Sequence, residues 1–241
     1  MYRSLKIAAI APVLDERHRI AEVVRRTPRE VVDWLVVVDD GSSDGSGAVA
    51  GGLGAIVVRH PRRAGVGAAI RDGFREALAR GADVVVVMAG NDKDAPEEIP
   101  ALLDPIAAGR ADFVQGSRYL GGGQALGDMP LHRRIATRAH PWLFSRVARR
   151  AVTESTNGFR AIHRRVLEDA RLDLAPRWLD GYDLEPYLYL RAIQLGYRTT
   201  EVAVTKVYAP RAEGRQTKMR PVLDWWAMVR PLVFVGLGIR R

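Results

Sequence analysis

The sequence predicts a single α/β domain built on a mostly parallel central sheet with helices on both faces. Three observations carry this. Short β-branched runs alternate with amphipathic stretches through the first half of the chain. Those runs are continuously apolar, as strands buried on both faces must be. The 241 residues, 47% hydrophobic and 27% charged, suit one folded domain and exclude a disordered chain.

The elements follow in order. Leu5–Ala11 is the first run, and Arg17–Arg26 has helical spacing through Ile20, Val23 and Val24. Trp34–Val38 and Ala55–Val58 are the second and third runs. Ala68–Ala79 places Ile70, Phe74, Ala77 and Leu78 on one helical face. Asp83–Met88 is the fourth run and holds four consecutive valines; Glu97–Ala108 is helical and Asp112–Val114 opens a fifth run. The second half is less regular: a Gly-rich loop at Gly121–Pro130, a basic helix at Arg133–Arg150, a polar turn at Thr153–Phe159, a helix at Gly181–Gly196 and a late strand at Thr200–Val207. Near the C-terminus, Asp224 and Arg230 interrupt the apolar stretch and Pro231 is expected to break helical continuity, so a membrane span is not expected. Two readings of this tail stay open: an interfacial helix with Trp225 and Trp226 beside Arg240 and Arg241, or a segment packed on the domain. The organisation expected is a domain over 1–219, with a nucleotide-binding half (1–115) and an acceptor-binding half (116–219), followed by a tail at 220–241.

The chain holds 37 Lys and Arg against 28 Asp and Glu, a net charge of +9. Such a balance points to an anionic partner: nucleic acid, a phosphorylated small molecule or an acidic membrane surface. Basic and aromatic residues are not interleaved as in nucleic-acid binders, so nucleic acid is not expected. With no cysteine, disulfides, thiol catalysis and zinc–thiolate sites are excluded. The N-terminal apolar run is too short for a signal-peptide core, and a cytoplasmic location, peripheral on the inner membrane face, is the expectation.

Ligands of such sheets bind beyond the carboxyl ends of the strands, which directs attention to the loops. The first run leads into Pro12-Val13-Leu14-Asp15-Glu16 and the second into Asp39-Asp40-Gly41-Ser42-Ser43. Carboxylates there can accept from ribose hydroxyls or a base imino group, although Asp, Ser and Gly also make ordinary turns. After the third run, Gly65 and Gly67 open a helix whose free amides could hold an anion. After the fourth come Asn91-Asp92-Lys93-Asp94, oxygen ligands suited to Mg²⁺ or Mn²⁺, or equally an acidic helix start.

Taken in order, these motifs resemble family 2 glycosyltransferases of the GT-A, Rossmann-like fold, of the polyprenyl-phosphate sugar synthase type. APVLDE resembles the family's first turn and VVVDDGSSDGS its Asp-Asp-Gly-Ser motif; VVVVMAGNDKDAPEEIP occupies its Asp-x-Asp metal motif. RRAGVGAAIRDG, ADFVQGSRYLGGG, TESTNGFRAIHRRVL and RAEGRQTKM match four further elements. The resemblance implies a nucleoside-diphosphate sugar bound near Pro12, Leu14, Glu16, Asp39, Asp40, Arg71 and Asn91. It implies a divalent metal, Mg²⁺ or Mn²⁺, at Asn91 and Asp92, with Asp92 and Arg118 at the reacting centre. Ser117, Arg118, Arg133, Arg134, Arg211 and Lys218 would hold an acceptor phosphate or the departing diphosphate. The metal motif departs from the family pattern, with Ala89 and Asn91 at its two acidic positions. A polyprenyl phosphate acceptor is already anionic and needs no base, whereas a small-molecule hydroxyl acceptor needs a carboxylate, for which Asp128, Asp183 and Glu185 are candidates.

Overall fold

The computed structural model describes residues 1–208 and 223–239. Its centre is a seven-stranded sheet in the order β3-β2-β1-β4-β7-β5-β8. The strands are β1 (Ile7–Val13), β2 (Trp34–Asp39), β3 (Ile56–Arg59), β4 (Val84–Val87), β5 (Phe113–Ser117), β7 (Arg160–His163) and β8 (Thr199–Ala203). β1 to β4 pair in parallel and β8 is parallel to β5, while β7 runs antiparallel to both its neighbours, β4 and β5. A small second sheet pairs β6 (Gln124–Gly127) with β9 (Thr205–Tyr208).

Because side chains alternate across a strand, the continuous apolar runs feed two cores. Ala8, Ile10, Val36, Val38, Val85 and Val87 face α3 (Val66–Ala79), α5 (Leu131–Ala148) and α7 (Leu184–Gln194). Ile7, Ala9, Val37, Val84 and Val86 face the opposite layer, formed by α1 (Arg17–Arg26), α2 (Ser46–Gly52) and α4 (Ile99–Ala107). A short α6 (Arg164–Leu167) follows β7, and α8 (Leu223–Gly236) packs on α5 and α7.

Two sequence expectations are corrected, and one strand lies where the sequence predicts no element: the segment after Phe159 is a strand at the middle of the sheet. Its register places Arg160, which is fully buried, beside Val87 and Gln115; the guanidinium is satisfied by the carbonyls of Asn157 and Glu185 and by the Glu185 carboxylate. The late strand is two strands, since β8 joins the central sheet and β9 leaves it for β6. Pro231 does not end α8, which is continuous through it. A helical proline removes a backbone bond and disturbs the turn before it. In that turn the Met228 carbonyl also accepts from His140 Nε2 at 3.0 Å. Met228, Leu232 and Val235 are buried on the domain, while Trp226, Leu237 and Ile239 stay exposed. Among the described residues, no helix is long and apolar enough to cross a membrane.

Candidate active site

A pocket lies beyond the carboxyl ends of β1, β2 and β4. Pro12, Leu14 and Glu16 line it from the loop after β1, Asp40 from the loop after β2, and Ala89, Gly90, Asn91 and Lys93 from the loop after β4. Arg118 closes the end of β5, and Arg133 and Thr137 reach in from α5. Tyr182 and Glu185 contribute the start of α7, Lys206 comes from β9, and Trp225 and Met228 of α8 complete the wall.

The two carboxylates of the Asp-Asp-Gly-Ser turn do different work. Asp39 Oδ1 accepts from the Ser42 amide at 2.8 Å and holds the turn; Asp39 does not line the pocket. Asp40 does line it, and accepts from the Ala64 amide at 2.7 Å, the Gly65 amide at 3.0 Å and His60 Nδ1 at 2.8 Å. The anion at the start of α3 is therefore this carboxylate. The amides of Gly67 and Ala68 are also taken, by the Asp180 carbonyl at 2.8 and 3.2 Å, so the expected free-amide anion site is absent there. A Cβ at Gly67 would collide with the Leu179 carbonyl, so glycine is what allows this close approach.

His60 bridges Asp40 and, through Nε2 at 3.0 Å, Asp72. Burial alone would push its pKa down, but the hydrogen bonds to the two carboxylates outweigh this and the pKa is raised. A group with a raised folded-state pKa stabilises most when it is charged. Its contribution is therefore complete below the unfolded value of about 6.5 and is lost as pH rises through the folded one. The unfolding free energy of the wild type should fall relative to His60→Gln as pH rises above about 6.5, as read by denaturant titration. Parallel pH curves for the two proteins would refute the bridge.

Other expected site residues lie elsewhere. Arg71 donates to the Leu174 carbonyl at 2.6 Å and pairs with Asp180, holding the loop before α7 and leaving the pocket to Arg63. Ser117 is fully buried and anchors the turn after β5, accepting from the amides of Tyr119 and Leu120. Arg134 is exposed on α5. Asp183 pairs with Arg230 of α8 at 2.7 Å, caps α7 with no side-chain bond and does not line the pocket, whereas Glu185 does. Arg118 is at the pocket wall, but its charge is already matched by Glu154 at 2.6 Å. Arg211 and Lys218 lie outside the described residues.

The expected metal pair is split. Asn91 lines the pocket, and among the described residues its buried Oδ1 has no hydrogen-bond partner. Asp92, at a positive φ of 56°, turns to Arg26 of α1 at 2.7 Å. Burial raises the Asp92 pKa, with Arg26 opposing it. Asp94 is also engaged, accepting from the Ala89 amide at 2.7 Å and from Lys206 Nζ at 2.5 Å. Among the described residues, no three His, Cys, Asp or Glu side chains gather to hold a metal ion. One neutral amide oxygen is a poor fit to Mg²⁺ or Mn²⁺, which take charged oxygen ligands. What the pocket does present is positive charge. Burial, with Arg133 and Lys206 close by, pushes the Lys93 ammonium down to about 7.

A cleft at the ends of parallel strands, where an Asp-Asp-Gly-Ser turn meets basic side chains, is shared with GT-A glycosyltransferases. The structure superposes on glucosyl-3-phosphoglycerate synthase of Mycobacterium tuberculosis in complex with Mn²⁺, UDP and glucosyl-3-phosphoglycerate. The TM-score is 0.70 at 25% identity, over 99% of this chain and 82% of that one. The same enzyme with Mg²⁺ and UDP gives 0.71 at 26% identity, over 99% and 81% of the two chains. The sequence profile described as "Glycosyl transferase family 2" matches residues 9–171. This chain belongs to glycosyl transferase family 2. Polyprenol monophosphomannose synthase of Mycolicibacterium smegmatis is 35% identical over 203 residues, covering 81% of this chain and 75% of that protein. Undecaprenyl-phosphate mannosyltransferase of Micrococcus luteus is 30% identical over 220 residues, covering 88% of each.

Sequence reasoning missed Lys93, Lys206, Tyr182 and the two α8 residues. Lys93 sits inside the motif read for metal, where attention fell on its oxygen-bearing neighbours. Lys206 and α8 arrive from distant parts of the chain, and no local pattern marks them.

Proposed function

We propose that this enzyme transfers a sugar from a nucleoside-diphosphate sugar to a polyprenyl phosphate, with inversion at the anomeric carbon. The observation that carries the reading is the joining, in one pocket, of Asp40 and Asn91 at the strand ends with the basic Lys93 and Arg133. Acceptors beside a basic wall suit a ligand with hydroxyls at one end and a diphosphate at the other. In the reaction an acceptor phosphate oxygen bonds to the anomeric carbon as that carbon's bond to the diphosphate breaks. The nucleoside diphosphate leaves with the bonding pair, and no proton has to be removed.

The relatives named for polyprenol and undecaprenyl phosphate support the acceptor class. So does α5, whose exposed Leu131, Ile135 and Trp142 share a face with Arg138 and are interspersed with Arg134 and Arg146. Such a surface suits peripheral contact with an anionic membrane.

Glu185 favours a second reading. It lines the pocket and accepts from Arg160 at 3.2 Å, so a hydroxyl acceptor would find a carboxylate within the site. Glu185→Gln separates the two. With a phosphate acceptor, turnover with polyprenyl phosphate should stay within about threefold, since no base is used. A general base contributes roughly 10²–10⁴-fold, so a loss of that size with donor binding intact would assign a hydroxyl acceptor. The donor is to be identified by thermal shift against UDP-, GDP- and dTDP-sugars.

A further inference from the structure

We infer that Lys93, with Arg133, holds the donor diphosphate in the place of a divalent metal, so that donor binding in this enzyme does not require a metal ion. The inference rests on the nucleotide-sugar reading of the pocket. It begins with what the loop after β4 has lost. The two acidic positions of the motif are Ala89 and Asn91, and the neighbouring acids are committed elsewhere: Asp92 to Arg26, Asp94 to the Ala89 amide and Lys206. The loop therefore brings no uncommitted carboxylate to the pocket.

Cations stand in that place instead. Lys93 lines the pocket two residues beyond Asn91 and is only 6% exposed. Its backbone is pinned by β9, since the Lys93 carbonyl accepts from the Val207 amide at 2.8 Å. Arg133 enters from α5, and the two charged groups converge on one ring: Lys93 Nζ is 6.0 Å and the Arg133 guanidinium 5.6 Å from the centroid of Tyr208. Between them they offer cationic N–H donors on the pocket wall. Ammonium and guanidinium groups bind phosphate oxygens through charge-assisted hydrogen bonds. A divalent cation placed among them would meet like charge, and the loop after β4 brings no carboxylate to offset it. Lys206 pairs with Asp94 and Asn157 and serves the wall.

The test is isothermal titration of the full chain with UDP, GDP, dTDP and their parent nucleosides, in EDTA and in Mn²⁺. The diphosphate that binds should do so with dissociation constants agreeing within about threefold in the two buffers. Lys93→Met should weaken diphosphate binding in EDTA by at least about tenfold, the scale of one charge-assisted hydrogen bond. Binding of the parent nucleoside should be unchanged, and Lys93→Arg should retain most of the affinity. Diphosphate binding that appears only with Mn²⁺, while the nucleoside binds in both buffers, overturns the inference and leaves the nucleotide pocket standing. Unchanged diphosphate affinity in Lys93→Met also overturns it. If no nucleotide or nucleoside binds in either buffer, the reading of the pocket fails and takes the inference with it. Should Lys93→Met not fold, the wild-type comparison and Lys93→Arg still decide.

Discussion

Replacing Glu154 by alanine is expected to destabilise the fold by about 3–5 kcal/mol, the loss typical when one partner of a buried ion pair is removed. Glu154 and Arg118 are among the most enclosed charges in the molecule, at 0% and 4% exposure. Glu154 Oε2 accepts from Arg118 Nε at 2.6 Å, and its other oxygen accepts from the Thr156 amide and hydroxyl at 2.8 and 2.7 Å. The rest of the guanidinium donates to Tyr208 and Thr156. Alanine would leave Arg118 charged, buried and without its counter-ion. Urea unfolding of Glu154→Ala and of the double variant Arg118→Met/Glu154→Ala reads this directly. The double variant should regain a large part of the loss, since removing both charges removes the uncompensated one. A single variant with the wild-type midpoint would show that the pair does not stabilise the protein.

Asp40→Ala is expected to lower kcat/KM for sugar transfer by at least about 100-fold, the scale of losing a preorganised polar contact. The structure adds a reason to the one legible in the sequence. Asp40 faces the pocket, and the same carboxylate ties His60 and the amides of Ala64 and Gly65 to the end of β2. Its loss removes a ligand contact and releases the turn into α3. Asp40→Asn separates these roles, because the amide oxygen can keep the Ala64 bond while the charge is gone. Wild-type-like turnover in Asp40→Ala would remove the nucleotide from this end of the pocket.

The first four strands were legible because each is a short continuous apolar run, with β1, β2 and β4 buried on both sides and β3 half-buried at the sheet edge. β7 was not, since Arg160 and His163 bound only two apolar residues and the strand exists through long-range pairing. The site divides in the same way. Asp40, Asn91, Arg133 and Glu185 were found through motifs, and the pocket brings them together. Motif position does not fix side-chain direction, however. Asp92 differs from Asn91 by one residue and a positive φ, which is enough to send it to Arg26. Arg71 is one residue beyond the pocket-lining Ile70, and on a helix that step turns it to another face.

The reversed strand at the centre of the sheet also governs how long the nascent protein is vulnerable. β4 and β5 follow one another along the chain, yet β7 lies between them, so neither can complete its pairing until residue 163 has been made. Synthesis runs at roughly 5–20 residues per second, and the stretch from β4 to β7 therefore takes several seconds. Throughout that time Val84–Val87 presents an unpaired edge of four valines, the kind of edge on which other chains can add. Arg160 is the first residue to cover it, pairing with Val87 at the end nearest the pocket.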